Sequence, residues 1–556
     1  MKQAKGLELL TGADPIIAGM VEVRLPTLPE RYNAAETFID AHRGVRDSAV
    51  AIRCQGDTVT YGDLAASVDR AGNAFAGLGI QIEERVVVMC LDSPAFVYAF
   101  FGAIKIGAIP IPTNTMLTSH DLRYILTDSR AVAIVVSAPL LPKVLEIVGD
   151  LPRLRHVLVT GDAGAAGESA HAGAAARGKS GRASVASFEE ALAAADAELA
   201  PADTTPDDAC FWLYSSGTTG FPKGAVHLQH DMVWCADTYG AHVIATTEAD
   251  RHFTVSPLFH AYGLGNGVFF PFRVGASTVY KPERSTPDVV YGLVTREKPT
   301  ILFTAPTFYA ALLAYPEKDF PYDLSSLRFC VSAGEALPKT LFDQWKRRFG
   351  LEILDGIGST EMLHIFISNF PGRAKGGTSG TVVPGYRAKI VDDDEKELPP
   401  GDTGNLWVSG DSACAYYWNK HEKSKATLRG AWMVTGDKYH LDEENFYTYE
   451  GRSDDMLKVS GQWVSPAEVE AALMAHPAVL ECGVVGTKDK DGLTKPRAFV
   501  MLKDGKAAGD ALADELKAFV KGRITPYKYP RWVEFTDDLP KTATGKIQRY
   551  KLRERE

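Results

Sequence analysis

The sequence predicts an α/β protein: a large N-terminal domain of layered α/β subdomains with a small β-region, followed by a small C-terminal domain. Three observations indicate this fold class. Short β-branched runs alternate with helical patterns through the first two-thirds of the chain. Pro–Gly pairs and short alternating runs such as Asn405–Ser409 begin near Gly380. Residues 455–556 carry a small excess of Lys and Arg whereas the rest is acidic, which places a boundary near Asp454.

The strands of the α/β part are predicted from short apolar runs. These runs are Val86–Cys90, Val132–Val136, Val157–Thr160, Phe211–Tyr214, Phe253–Ser256, Ile301–Thr304, Phe329–Ser332 and Glu352–Leu354. Helical patterns accompany them at Tyr61–Leu78, Ala95–Ile106 and Ser119–Asp128. Strands that alternate with helices at this spacing favour largely parallel sheets.

Composition limits the class of protein. The chain has 556 residues, of which 45% are hydrophobic and 23% are charged, as in globular proteins and unlike disordered or collagen-like chains. Seven cysteines form no CxxC pair, and their odd number argues against a disulfide framework, so reduced thiols are expected. The net charge of −10 argues against a nucleic-acid partner.

No targeting or membrane segment is predicted. Met1–Gly12 lacks the apolar stretch of a signal peptide. The most apolar window, Phe96–Ile111, contains Lys105 and Pro110 and is too broken to span a bilayer. Residues 161–184 are mostly Gly and Ala, so we expect a flexible surface insertion there. The sequence thus predicts a soluble, cytoplasmic protein without a membrane partner.

The strongest local signal is a glycine-rich loop after the apolar run Phe211–Tyr214. Its glycines let backbone N–H groups approach phosphate oxygens, and its hydroxyls and lysine add further donors. The spacing of a Walker loop fails because Pro222 occupies the second glycine position, which disfavours a P-loop ATPase. The residues predicted to bind phosphate are Ser215, Ser216, Gly217, Thr218, Thr219, Gly220 and Lys223.

This loop resembles the phosphate loop of the adenylate-forming superfamily, which includes acyl- and aryl-CoA synthetases. Further motifs follow in the family's order, at Gly358–Glu361, Trp432–Asp437, Gly451–Asp455 and Pro540–Lys546. The resemblance implies an AMP-binding and acid-binding domain over residues 1–453. It also implies a mobile α+β catalytic domain over residues 454–556, with a hinge at Asp454.

The resemblance implies ATP, Mg²⁺ and CoA as cofactors and co-substrates. Thr360 would face the phosphates, Glu361 would bind Mg²⁺, and Asp437 would hold the ribose hydroxyls. Mg²⁺ prefers oxygen ligands, but a carboxylate at a helix start can also cap the helix. The other nucleotide-binding or CoA-binding candidates are Ala333, Gly334, Glu335, Asp355, Gly356, Arg452, Lys458 and Gly461. A simple strand-to-helix turn explains Ala333–Glu335 nearly as well.

The implied first step joins two anions, because a carboxylate attacks the α-phosphorus of ATP and releases pyrophosphate. Such catalysis depends mainly on positioning and charge neutralisation. Lys546 is a compact donor, charged at neutral pH, that would bridge both reactants. In the second step the C-terminal domain would rotate so that the segment Lys458–Trp463 replaces Lys546. Acetylation would remove the charge of Lys546, so a lysine acetyltransferase and a deacetylase are expected partners. A homodimer is also expected.

Two longer strings, Leu354–Phe366 and Glu450–Gly461, resemble benzoate–CoA ligases more than long-chain acyl ligases. The implied acid is therefore benzoate or a substituted benzoate, a small aromatic carboxylic acid. The candidates for contact with it are His227, His260, Tyr262, Gly334, Ile357, Gly358 and His364. His260 departs from the phenylalanine common in benzoate ligases, which leaves the ring substituents open; a histidine in an apolar run is also often a satisfied core residue. Ten residues follow Lys546, so free CoA is the expected acceptor.

Two alternatives remain open. A medium-chain or alicyclic acyl-CoA synthetase would need a deeper acid pocket. A non-catalytic nucleotide-binding regulator would bind ATP without releasing pyrophosphate, but the presence of Glu361, Asp437 and Lys546 argues against it.

Overall fold

The computed structural model describes most of the chain. The described residues are 27–161, 183–217, 220–318, 320–453, 455, 457–459, 462–489, 494–524, 528–541 and 547–555. For Ser216, Gly217, Gly220, Phe221, Lys458, Gln462 and Trp463 the description covers the backbone alone. The insertion predicted at 161–184 lies almost entirely outside the described residues.

A five-stranded parallel sheet forms the first layer. Its strands, in spatial order, are β4 (Ile109–Pro112), β3 (Arg85–Met89), β5 (Ala133–Ser137), β6 (His156–Thr160) and β7 (Ser184–Ser187). Every pairing in it is parallel. The three strands predicted in this region are confirmed, each within about one residue. Strands β4 and β7 were not predicted.

A nine-stranded sheet forms the second layer. Its parallel centre comprises β14 (Ile353–Gly358), β13 (Phe329–Ser332), β12 (Ile301–Thr304), β10 (Arg251–Thr254), β11 (Ser277–Tyr280) and β1 (Val50–Cys54). Antiparallel strands complete its edges: β16 (Thr381–Val382) and β15 (Ile365–Ser368) at one side, β2 (Asp57–Thr60) at the other. Neighbouring parallel strands end at the same edge, so the segments after β10, β13 and β14 lie together there.

Two smaller antiparallel sheets follow. One contains β8 (Ala209–Gly217), β9 (Gly220–Leu228) and β19 (Tyr416–Tyr417). The other is the predicted β-region, which contains β17 (Arg387–Val391), β18 (Thr403–Ser409), β21 (Trp432–Leu441), β20 (Leu428–Arg429) and β22 (Tyr447–Arg452). The predicted run Asn405–Ser409 falls within β18.

The helices of the larger part pack on these sheets. They are α1 (Ala34–Phe38), α2 (Tyr61–Gly77), α3 (Pro94–Lys105), α4 (Ser119–Asp128), α5 (Leu141–Leu145), α6 (Phe188–Ala194), α7 (Asp231–Cys235), α8 (Ala261–Leu264), α9 (Phe270–Val274), α10 (Pro287–Glu297), α11 (Pro306–Leu313), α12 (Lys339–Phe349) and α13 (His421–Thr427).

The three predicted helices are confirmed as α2, α3 and α4, and local chemistry explains where they begin. Thr60 and Thr118 each form a capping box with the aspartate three residues later. Pro94 occupies the first turn of α3, where its missing N–H has no helical partner to lose. No helix in the described part of the chain is long and apolar enough to cross a membrane.

The C-terminal part has a hydrophobic core of its own. Its strands are β23 (Leu457–Val459), β24 (Gln462–Val464), β25 (Val479–Lys488), β26 (Thr494–Leu502) and β27 (Trp532–Phe535), and its helices are α14 (Pro466–Met474), α15 (Asp510–Lys521) and α16 (Arg549–Arg553). Leu473, Val484, Val500 and Leu516 are buried between these helices and strands.

Candidate active site

The glycine-rich loop forms the tip of the β8–β9 hairpin. Ser215 pairs with Lys223, and Gly217 pairs with Gly220 beyond a register shift. Helix α4 supports both strands, because the Tyr124 hydroxyl donates to the carbonyl of Pro222 (3.0 Å) and the Tyr214 hydroxyl to Asp128 Oδ2 (2.8 Å). Thr218 and Thr219, the other predicted phosphate ligands, lie outside the described residues.

The Thr360–Glu361 turn faces this hairpin. The Ser215 hydroxyl donates to Glu361 Oε1 (3.2 Å), and the Tyr417 hydroxyl donates to the same oxygen (2.6 Å). The ammonium of Lys223 lies 4.5 Å from the centre of the Tyr417 ring. Burial lowers the pKa of Lys223, against the attraction of Glu361, which raises it. The site thus brings one carboxylate and one ammonium to the hairpin.

Glu361 fits a magnesium ion that is held mainly by substrate. The described residues contain no group of three or more His, Cys, Asp or Glu side chains arranged to hold a metal. Mg²⁺ usually keeps several waters and takes one or two protein carboxylates together with substrate phosphates. A carboxylate beside a hairpin that is predicted to bind phosphate fits that requirement.

His227 lies directly behind the turn. Its Nε2 is 2.8 Å from the carbonyl oxygen of Thr360, and its Nδ1 is 2.7 Å from Asp231 Oδ2. Both side chains of the His227–Asp231 pair are fully buried. The ring thus links Asp231 to the Thr360 carbonyl, and the pair holds the backbone of the turn. Contact of His227 with the acid, expected from the sequence, stays a prediction.

The predicted adenine-binding residues follow β13 and lie in β14. Asp355 is buried, its Oδ2 accepts the N–H of Leu337 at 3.5 Å, and burial raises its pKa to about 8. Gly356 packs so closely on β15 that a Cβ there would lie 2.9 Å from the carbonyl oxygen of Ile367. In the other segment, Ala333 is buried, Gly334 has a φ of +95°, and Glu335 accepts a hydrogen bond from Thr307 (2.7 Å).

Asp437 and Arg452 face each other across β21 and β22. Arg452 Nη1 donates to Asp437 Oδ1 at 3.1 Å and to the carbonyl of Thr435 at the same distance. Gly436 has a φ of +74°, and a Cβ there would lie 2.9 Å from Arg452. The guanidinium therefore fixes the orientation of the carboxylate predicted to hold the ribose.

A cluster of aromatic side chains, here called the aromatic wall, lies beyond the turn. The ring centres of Tyr262 and His364 are 5.7 Å apart, and His364 Nε2 is 3.4 Å from the Tyr262 carbonyl oxygen. Burial lowers the pKa of His364 to about 3, so its ring is neutral. A Cβ on Gly358 would lie 2.6 Å from the His364 carbonyl oxygen, and Ile357 is partly buried in the same core. His260 directly precedes α8 and packs against Phe259, with 4.4 Å between ring centres.

Family comparison settles the class of protein. The AMP-binding enzyme family matches residues 40–418, and the AMP-binding enzyme C-terminal domain matches residues 468–546. The chain belongs to the AMP-binding enzyme family. The family membership and the fold class predicted from the sequence are thereby confirmed.

Relatives of this AMP-binding enzyme share nearly its whole length. A benzoate–CoA ligase of Thauera aromatica is 49% identical over 530 residues, which cover 95% of this chain and 96% of the relative. A 4-hydroxybenzoate–CoA/benzoate–CoA ligase of Rhodopseudomonas palustris is 43% identical and covers 94% of each chain. The structure of an anthranilate CoA ligase in complex with anthranoyl-AMP matches with a TM-score of 0.88 at 42% identity, covering 95% of this chain and 98% of that one.

The C-terminal candidates of this AMP-binding enzyme lie at two turns. Lys458 belongs to the β23–β24 hairpin, where it pairs with Trp463, while Gly461 and the hinge candidate Asp454 lie outside the described residues. Lys546 also lies outside them. The residues on either side of 542–546 are held together, since Lys541 and Ile547 form an antiparallel β-bridge and the N–H of Gln548 donates to the carbonyl of Pro540 (2.7 Å).

Two residues of the site were missed in the sequence. Tyr417 comes to Glu361 because β19 pairs with β9, a contact between segments almost 200 residues apart that carries no local signal. Asp231 was within reach of sequence reasoning, because it follows His227 by four residues at the start of a helix.

Proposed function

We propose that the protein is an ATP-dependent aryl-CoA synthetase. It activates benzoate or a substituted benzoate to the aryl-adenylate, releases pyrophosphate, and transfers the acyl group to CoA. One observation carries the proposal: the short segment 358–364 has Glu361 on the side of the phosphate hairpin and His364 in the aromatic wall. A single turn thus joins an anion-binding side to an aromatic side, and relatives 43–49% identical are benzoate–CoA ligases.

The hairpin and its surroundings hold the nucleotide. The Ser215–Lys223 segment and Thr360 bind the phosphates through backbone N–H groups, hydroxyls and the ammonium of Lys223. Mg²⁺, held by Glu361, neutralises phosphate charge when bound. Asp437, oriented by Arg452, accepts from the ribose hydroxyls. Adenine lies against the segment Ala333–Glu335, with Asp355 and Gly356 at its edge.

The C-terminal part completes the site in two orientations. Residues 454–556 form the mobile domain, and Asp454 is its hinge against residues 1–453. In the first step Lys546 bridges the carboxylate of the acid and the α-phosphate. In the second step the Lys458 hairpin takes its place, and Gly461 leaves room for the thiol of CoA. The separate hydrophobic core of this part supports movement as a unit.

The acid is short and flat. Tyr262, Ile357, Gly358 and His364 bound its ring, and His260 lies near its carboxylate, with Gly334 and His227 at the border. The neutral His364 ring favours an aromatic acid, since a charged group there would attract anions and not an apolar ring. A medium-chain acid would need a deeper pocket than a short, flat acid does.

Three further expectations from the sequence are retained as proposals. We expect a homodimer, checked by light scattering of the purified protein. We expect acetylation of Lys546 by a lysine acetyltransferase, reversed by a deacetylase and checked by mass spectrometry of protein from cells. We expect a cytoplasmic location, checked by cell fractionation.

Pyrophosphate release tests the proposed function. Benzoate, its hydroxy and amino derivatives, and C6–C10 fatty acids are each supplied with Mg²⁺ and ATP, with and without CoA. Aryl acids should release about one equivalent of pyrophosphate per site without CoA and turn over with it. Faster turnover of fatty acids would favour the medium-chain alternative. ATP binding without pyrophosphate release for any acid would support the non-catalytic regulator.

A further inference from the structure

Tyr417 contacts both charged side chains at the hairpin. Its hydroxyl donates to Glu361 Oε1 at 2.6 Å. The ammonium of Lys223 lies over its ring, 4.5 Å from the ring centre. The side chain is 3% exposed, and its pKa is raised by burial first and by the neighbouring Glu361 carboxylate second. Tyr417 is thus a neutral donor inserted between an anion and a cation.

The backbone fixes Tyr417 to both sides of the site. Residue 417 pairs with Ala225 of β9, two residues after Lys223. The N–H of Cys414 donates to the carbonyl of Glu361 at 2.7 Å, and that of Trp418 donates to the carbonyl of Gly224 at 2.8 Å. Strand β19 therefore ties the turn to the hairpin, and the Tyr417 ring occupies the space between them.

Opposite charges this close would otherwise pair. An ion pair between Lys223 and Glu361 would neutralise both groups, and each ligand would then have to break that pair before binding. A hydrogen bond from a hydroxyl stabilises the carboxylate without neutralising it, and an aromatic face stabilises the ammonium in the same way.

We propose that Tyr417 is a positioning residue that keeps Glu361 and Lys223 apart, so that the carboxylate is available to Mg²⁺ and the ammonium to phosphate. The inference rests on the proposed function, since it assigns Mg²⁺–ATP to this site. It predicts that the hydroxyl acts through Glu361 and the ring acts through Lys223.

Calorimetric ATP binding across a MgCl₂ series, and in EDTA, tests the proposal. Tyr417→Phe keeps the ring and should raise the Mg²⁺ concentration for half-maximal tightening of ATP binding about tenfold, as expected for loss of a hydrogen bond to a charged group. ATP binding in EDTA should change less than threefold. Tyr417→Leu removes the ring as well and should also weaken ATP binding in EDTA, about tenfold.

A double variant separates positioning from general damage. In a Glu361→Gln background, Tyr417→Phe should no longer change the Mg²⁺ dependence, because its route through the carboxylate is gone. Tyr291→Phe is the matched control: it removes a buried hydroxyl that donates to the carbonyl of Leu312 at 2.8 Å and should leave the Mg²⁺ dependence unchanged.

The outcomes distinguish an error in the role of Tyr417 from an error in the proposed function. Wild-type binding of Mg²⁺–ATP with an unchanged Mg²⁺ dependence in Tyr417→Phe would overturn the role of Tyr417 alone. If Tyr417→Phe shifted the Mg²⁺ dependence equally with and without Glu361→Gln, that role would also be overturned, because the effect would then not pass through Glu361. Absence of ATP binding by the wild type would overturn the proposed function and this inference together.

Discussion

Asp355 is expected to make the folded protein less stable as the pH rises. Its carboxyl group is 4% exposed, and burial raises its pKa from 3.8 to about 8. Its Oδ2 accepts the N–H of Leu337 at 3.5 Å, while Oδ1 has no hydrogen-bond partner in the described part of the chain. The folded protein therefore keeps a proton on Asp355 at neutral pH that the unfolded chain has already released.

The sign and size of the effect follow from proton linkage. Between the two pKa values the native state binds more protons than the unfolded state, so the free energy of unfolding falls as the pH rises. The slope is about 1.4 kcal/mol per pH unit for one proton. The contribution is fully present below about pH 4 and is lost by about pH 8. From pH 5.5 to 7.5 this group accounts for a loss of about 2–3 kcal/mol.

Asp355→Asn removes the titration and keeps the shape of the side chain. Relative to the wild type, the Tm of the variant should be about 2–5 °C higher at pH 7.5 than at pH 5.5. Differential scanning calorimetry measures both Tm values. Asp323→Asn is the control, because Asp323 is exposed and its pKa is lowered to about 2 by hydrogen bonds to Ser325, so it stays ionised throughout. A Tm difference for Asp355→Asn that is constant with pH would refute the reasoning.

Three further predictions concern the acid pocket, the C-terminal part and the first reaction step. Gly358→Ala places a Cβ 2.6 Å from the His364 carbonyl oxygen and should lower kcat/KM for benzoate at least about tenfold, whereas normal kinetics would contradict the pocket assignment. The guanidinium of Arg549 lies 2.7 Å from the buried Glu470 carboxylate. Arg549→Met leaves that carboxylate without a partner charge and should destabilise the C-terminal part by about 3–5 kcal/mol. Limited proteolysis should then cleave that part faster, with Arg549→Lys intermediate; equal cleavage rates would refute this. Lys546→Ala should reduce aryl-adenylate formation at least about a hundredfold and spare ATP binding, and adenylate formation at the wild-type rate would remove Lys546 from the mechanism.

Much of the α/β fold could be predicted because its strands are short apolar runs buried on both faces. Strand β4 escaped prediction because its sequence, Ile109–Pro112, contains two prolines, which normally argue against a strand. The two prolines are tolerated because β4 lies at the edge of its sheet. No described strand pairs with its outer side, so the missing backbone N–H groups cost no hydrogen bond between strands. Strand β9 was missed because the polar residues and glycines at its start interrupt the apolar pattern.

The residues of the candidate site also fall into a group that could be predicted from the sequence and a group that could not. Residues that act in a contiguous loop, such as Ser215–Lys223 and Thr360–Glu361, could be predicted because their order itself is the signal. Tyr417 could not, because its contact with Glu361 depends on the pairing of β19 with β9. The buried state of Asp355, and hence its raised pKa, likewise depends on strands packed around it and not on its sequence neighbours.

A structure determined with Mg²⁺ and a non-hydrolysable ATP analogue tests the central claim most directly. The β- and γ-phosphates should lie within hydrogen-bonding distance of the Ser215–Lys223 hairpin, with Mg²⁺ on Glu361 and the ribose on Asp437. A triphosphate bound elsewhere, with the hairpin and Glu361 in contact only with water, would contradict it.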